Sequence, residues 1–212
     1  MSRPSSKKRA LGRPREVADE DILSVARRWF LKQGAGVSAV TIAEELGVSH
    51  TTIFNRFGSK EDLMIAALGP PNKLPWAHKL ESGPDERPIV EQLIEISRIA
   101  SKYFEYIAAG FQVLRAAGIT HERVFRGREE PTPVQAFKAV SSWLRRAQDS
   151  GRMRTCDVDT LTATLLGAWQ GWAFTARMCG RQLTGVSKEH FVEEFVDLIW
   201  RGIAPDRPQR KG

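Results

Sequence analysis

Residues 38–60, SAVTIAEELGVSHTTIFNRFGSK, constrain this chain more than any other stretch, because they read as two short helices joined by a tight turn. Ile42, Ala43, Glu45 and Leu46 belong to the first helix, Gly47-Val48-Ser49 turns the chain, and Thr52, Ile53, Phe54 and Phe57 belong to the second. Gly47 suits a turn position with positive φ, which costs other residues more. Ile42, Leu46, Val48, Ile53 and Phe57 are spaced to share one buried side, leaving His50, Thr51, Asn55 and Arg56 outward. Such a helix-turn-helix, with a polar second helix, is the arrangement that places a helix in the DNA major groove. A helical hairpin whose polar face only meets water is the competing reading.

The flanking sequence favours the first. Arg3, Lys7, Lys8, Arg9, Arg13 and Arg15 precede the first acid, Glu16. This arm, residues 1–15, suits a phosphate backbone and would serve equally as a solubilising tail. Acids are plentiful afterwards, so the formal net charge of +7 is concentrated rather than spread. No apolar run approaches the roughly 18 residues of a membrane helix, and no hydrophobic signal core opens the chain, so a soluble, cytoplasmic protein without a membrane partner is expected. Cys156 and Cys179 are isolated and fit neither a metal site nor a disulfide framework; both read as small buried hydrophobes.

Extended segments carry a helical period and none alternates convincingly, which predicts an all-α fold. A first helix should run over Glu20–Gln33 with Asp19 as its cap and Gly34 as its stop. Ser38 and Ser49 should cap the next two helices, and Ser59-Lys60-Glu61-Asp62 should open a fourth to Leu68 in a capping-box arrangement. Gly69-Pro70-Pro71 then places a boundary, giving a helix-turn-helix domain over 16–68 and a larger helical domain over 69–205, with a tail at 206–212. Ile89, Leu93, Ile96, Ala100, Tyr103, Ile107 and Phe111 mark a long helix in that second domain. Residues 118–132 read as a mobile connection, followed by helices over about 134–147, 157–178 and 187–202.

GRPRE at 12–16, ILSVARRWFLKQG at 22–34 and TIAEELGVSHTTIFNRFGSKEDL from Thr41 onward resemble, in order and spacing, the DNA-binding domain of the tetracycline-repressor (TetR) family of transcriptional regulators. The resemblance covers about residues 12–68; beyond it only the helical layout and the closing FVDLIWRGIAP are similar. It implies an N-terminal helix-turn-helix domain and a divergent helical domain that binds a small ligand and dimerises. By position it assigns Ser38, Thr41, Thr52 and Lys60 to phosphate-side contacts, with Ser49 capping the recognition helix. Phe54 stands where the family commonly has Tyr, so a hydroxyl bond to phosphate is lost while ring packing on sugar or a thymine methyl remains. His50, Thr51 and Asn55 also depart from the common residues, which leaves the operator unspecified. Asn55 suits adenine, and Arg56 suits guanine or phosphate. Arg13 and Arg15 suit a narrow minor groove.

The same resemblance implies that the last two helices pair with their copies. Leu161, Leu165 and Trp169, with Phe191, Phe195, Leu198 and Ile199, are then the candidate homodimer interface; the other reading of both stripes is the monomer's own core. Tyr103, Phe104, Phe111, Phe137, Trp143, Trp169 and Trp172 are the candidate walls of a cavity for an apolar or planar small molecule, with Glu95, Gln112 and Gln170 as polar contacts. These aromatics serve a core equally well. The four histidines are scattered, and HExxH, nucleophile-elbow, P-loop and dinucleotide patterns are absent, so no enzyme, metal or cofactor is expected. The expected function is a ligand-responsive repressor that binds a palindromic operator as a homodimer. The alternative is an architectural or adaptor DNA-binding protein without ligand control.

Overall fold

A computed structural model describes residues 17–179 and 185–203. Its helices are α1 (Asp19–Gln33), α2 (Ala39–Leu46), α3 (His50–Phe57), α4 (Lys60–Leu68), α5 (Ile89–Ala116), α6 (His121–Phe125), α7 (Thr132–Asp149), α8 (Val158–Cys179) and α9 (Lys188–Ile203). No strand occurs among the described residues, and a helix-turn-helix unit precedes a larger helical body, so the all-α expectation holds.

Serine chemistry sets the starts of α2, α3 and α4. Ser38, Ser49 and Ser59 each accept the backbone N–H three residues on, from Thr41, Thr52 and Asp62, at 3.1, 3.1 and 3.0 Å. Each bond satisfies a donor that the first helical turn leaves without a partner. Gly47 ends α2 in the left-handed region at φ 68°, and its N–H returns to Ala43 and Glu44. The expected Asp19 cap is corrected. Ala18 holds the cap position without a side-chain bond, Asp19 is the first helical residue, and its carboxylate is engaged by Arg56 of α3 at 3.0 Å.

Two apolar clusters organise the chain. Ile22, Ala26 and Phe30 of α1 meet Ile42 and Ala43 of α2, Ile53 of α3 and Leu63 of α4, together with Leu114 of α5 and Val124 of α6. The second cluster joins Leu93 and Ala100 of α5 to Val140 and Leu144 of α7, Leu165 and Trp169 of α8, and Val196 of α9. The long α5 therefore belongs to both. Its Gly110 is buried against the end of α4, where a Cβ would stand 1.9 Å from the Leu68 carbonyl oxygen, so only glycine permits this approach. Arg27 of α1 fastens the same joint, donating to the carbonyls of Ala67 at 3.1 Å and Tyr106 at 2.5 Å, with its guanidinium 3.2 Å from the Tyr106 ring centroid.

The connection expected over 118–132 contains a helix, α6. Thr120 caps it, and Val124 buries itself in the first cluster, which gives so short a helix a reason to form. Asp157 and Ser187 accept from Thr160 and His190 at the starts of α8 and α9, at 2.6 and 3.1 Å. Cys156 is half-buried against the second cluster; burial, then the neighbouring Asp157, push its thiol up. The Cys179 side chain lies outside the described residues. Among those described, no helix is long and apolar enough to cross a membrane.

Candidate functional site

The polar side of the helix-turn-helix is prepared by its caps. Ser38 and Thr41 share a hydroxyl–hydroxyl bond of 2.9 Å at the start of α2, and Ser49 and Thr52 share one of 2.8 Å at the start of α3. If the threonine donates in each pair, the serine proton remains free for an acceptor outside the protein. His50, Thr51 and Asn55 are exposed along α3, while Phe54 is half-buried, edge-on to His50 with centroids 6.4 Å apart. Arg13 and Arg15 lie outside the described residues.

Two basic residues expected to contact DNA are engaged within the protein. Arg56 donates to the Val17 carbonyl and to Asp19, so it fastens the end of α3 to the start of α1 rather than projecting toward bases. Lys60 donates to the Ala35 carbonyl at 2.5 Å, which holds the start of α4 against the turn after α1. An ammonium carries three donors, so this bond leaves Lys60 two for a phosphate. Sequence reasoning missed a further fastening between α1 and α2. The Trp29 indole donates to Glu45 at 2.6 Å and Arg28 pairs with the same carboxylate; the Trp29 bond first, then Arg28, holds it below its ordinary range.

Beneath this head lies a cavity of about 1080 Å³, walled by α5, α6, the start of α7 and α8. Tyr103, Phe104 and Phe111 line it as expected positions, joined by Phe125 and Phe174, and Gln112 and Gln170 supply amides. Burial pushes the Tyr103 phenol up, keeping it neutral. The other aromatic expectations are corrected. Trp143 and Trp169 are 2% and 0% exposed and fill the second cluster. Phe137 is half-buried outside the wall, and Trp172 stacks on Phe191 with centroids 4.3 Å apart. Glu95 pairs with Arg87 at 3.1 Å beside a separate cleft of about 100 Å³.

The short α6 joins this cavity to the head. His121, Glu122 and Phe125 line the cavity, with His121 stacked on Phe111 at 5.0 Å. Arg123 instead reaches the first turn of α4, donating to Glu61 at 2.9 Å and Asp62 at 3.0 Å, while Val124 sits in the head's own core. No periodic pattern of five residues could have announced this helix. The Thr120 cap was the one local signal in the sequence.

The candidate interface residues divide. Leu161, Leu165 and Trp169 are 8%, 1% and 0% exposed and pack in the chain's own core, which corrects their assignment to a dimer surface. Their four-residue spacing marks the inner face of α8. Phe191 and Phe195 stack, half-buried, with centroids 5.7 Å apart, and Ile199 is half-buried against the core. Leu198 is 67% exposed, as are Phe174 and Met178 of α8 at 57% and 68%, two residues the sequence reading did not place on an outer surface.

Comparison with known proteins accords with this architecture. Residues 22–67 match the sequence model of bacterial regulatory proteins, tetR family. The HTH-type transcriptional repressor BdcR of Escherichia coli (strain K12) is 31% identical over 100 residues, 45% of this chain and 49% of that protein. The chain thus spans about half the length of the curated relative it matches. A structure solved for the molecular basis for control of antibiotic production by bacterial hormones has a TM-score of 0.62 at 21% identity, covering 87% of this chain and 96% of its own. A TetR family transcriptional regulator from Pseudomonas syringae pv. tomato str. DC3000 gives 0.58 at 22% identity, with 89% and 99% covered. Residues 22–67 thus carry the sequence of the tetR family of bacterial regulatory proteins, and the helical fold across most of the chain is similar to that of a solved TetR family transcriptional regulator.

Proposed function

We propose that this chain is a repressor that binds a palindromic operator as a homodimer and leaves it when a small molecule occupies the cavity. The observation that carries the reading is the double engagement of α6, whose one side lines the cavity while Arg123 grips Glu61 and Asp62 of α4. A ligand that displaces Phe125 or His121 would act on α4 through this grip. For that to be a switch, the ligand must bind the DNA-free conformation more tightly than the DNA-bound one; equal binding shifts nothing. The fold neighbour studied for control by bacterial hormones is consistent with a ligand-responsive body.

In this reading residues 16–68 form the reading head and 69–205 the ligand-binding and dimerisation body, with the end of α5 and α6 serving both. Ser38, Thr41, Ser49, Thr52 and Lys60 hold phosphates, and His50, Thr51, Phe54 and Asn55 meet the groove. Dimerisation uses the outer sides of α8 and α9, where Trp172, Phe191, Phe195 and Leu198 present apolar surface. A single helix-turn-helix reads few base pairs, and two-fold symmetry doubles the site. A tryptophan-fluorescence screen of aromatic and alkyl compounds, followed by operator titration with each hit, tests the switch. Hits that weaken operator binding are expected. Hits that compete for one site and never alter operator affinity would contradict ligand control and favour a DNA-binding protein without it.

A further inference from the structure

The cavity wall is apolar over most of its surface, yet two arginines line it, Arg115 on α5 and Arg177 on α8. Arg177 donates through Nε to Gln112 at 3.0 Å. Gln112 and Arg115 are three residues apart on α5, the spacing that brings side chains to one helix face, so both cations gather at one end of the cavity. Several other arginines of this chain pair with acids: Arg28 with Glu45, Arg56 with Asp19, Arg98 with Glu193, Arg123 with Glu61 and Asp62, Arg145 with Asp159. Among the described residues neither Arg115 nor Arg177 has a carboxylate within ion-pair distance. The acid in the cavity wall, Glu122, is already satisfied. It accepts from the Thr120 hydroxyl, then from its own backbone N–H, and stands beside His121, which together hold it below its ordinary range.

We propose that the cavity takes an amphipathic monoanion, its apolar body among Phe104, Phe111, Phe125 and Phe174 and its carboxylate- or sulfonate-class head between Arg115 and Arg177. This rests on the cavity being the effector site and replaces a purely apolar ligand with one that carries a charge. Two like charges without a counter-ion repel, and an anion between them relieves that repulsion while gaining charge-assisted hydrogen bonds. The planar guanidinium fork suits the two oxygens of a carboxylate. Both arginines are exposed, so the head sits near solvent and its attraction is screened by salt.

The test compares two fluorescent probes that share one skeleton, 8-anilinonaphthalene-1-sulfonate and the uncharged N-phenyl-1-naphthylamine, titrated into the full-length protein without DNA. The anion should bind about tenfold tighter at low salt, and the gap should narrow as salt rises. In the Arg115→Ala/Arg177→Ala double variant the gap should close while the neutral probe keeps its affinity, which also reports an intact cavity. Gly171→Phe projects a ring into the cavity from α8, where nothing stands within 4 Å of an added Cβ, and should remove both probes. Equal affinities in the unaltered protein, a gap that survives the double variant, probe binding that survives Gly171→Phe, or no binding of either probe would each overturn the inference. Operator affinity measured with and without the anionic probe separates the two readings. If it is unchanged while the gap behaves as described, ligand control fails and the anion site stands.

Discussion

Arg56 and Asn55 are neighbours on one short helix with different fates. Both are exposed polar residues in the sequence pattern of a groove-reading face, and that pattern could not separate them. What separates them is Asp19, thirty-seven positions earlier, which draws Arg56 to the start of α1. Long-range partners of this kind are invisible to local spacing, and the same holds for Trp29 with Glu45 and Lys60 with Ala35. The serine caps were legible because capping is local, with acceptor and donor three residues apart. At this scale the account predicts that Asn55→Ala relaxes base preference at one operator position by about 1–3 kcal/mol. Lys60→Ala should instead weaken binding to all duplexes and lower the salt slope by about one. Binding profiles over a library of single-base operator variants distinguish them, and an unchanged profile for Asn55→Ala would remove it from the reading face.

Among the elements, α6 and α8 show where periodicity stops informing. The stripe Leu161, Leu165, Trp169 is one face of a helix, as its spacing predicts, but the partner of that face is α5 and α7 of the same chain rather than a second copy. Periodicity says which side is apolar and is silent about what covers it. Five-residue α6 offers no period at all, and its existence depends on Val124 finding the head's core. Gly110 belongs here too, since the reason for glycine is the Leu68 carbonyl of another helix. The element-scale prediction concerns Arg123→Ala. Half-exposed ion pairs contribute on the order of 1 kcal/mol or less, so the fold should survive with a small loss of thermal stability. Cavity ligands should bind as before, as tryptophan fluorescence reads it, while their effect on operator affinity shrinks. Full retention of that effect would place the coupling elsewhere, with the Gly110 and Arg27 joint as the next candidate.

Over the whole molecule, the sequence disclosed the class of fold and the reading head, and left the body largely open. The head is dictated by local chemistry: caps, a positive-φ glycine and two short apolar helix faces. The body's cavity depends on which side of each long helix turns inward, and local spacing does not tell the walls from the core that Trp143 and Trp169 fill. What unites head and body is α5, shared by both apolar clusters. The central claim is that two such chains, paired by the outer sides of α8 and α9, present two copies of α3 to successive major grooves, about 34–36 Å apart on one face of DNA. Selection of bound sequences from random duplex by the full-length protein tests it most directly. One enriched palindrome, with half-sites centred about one helical turn or a whole multiple apart, is the predicted result. Binding without enrichment, or enrichment of a lone half-site, would contradict it.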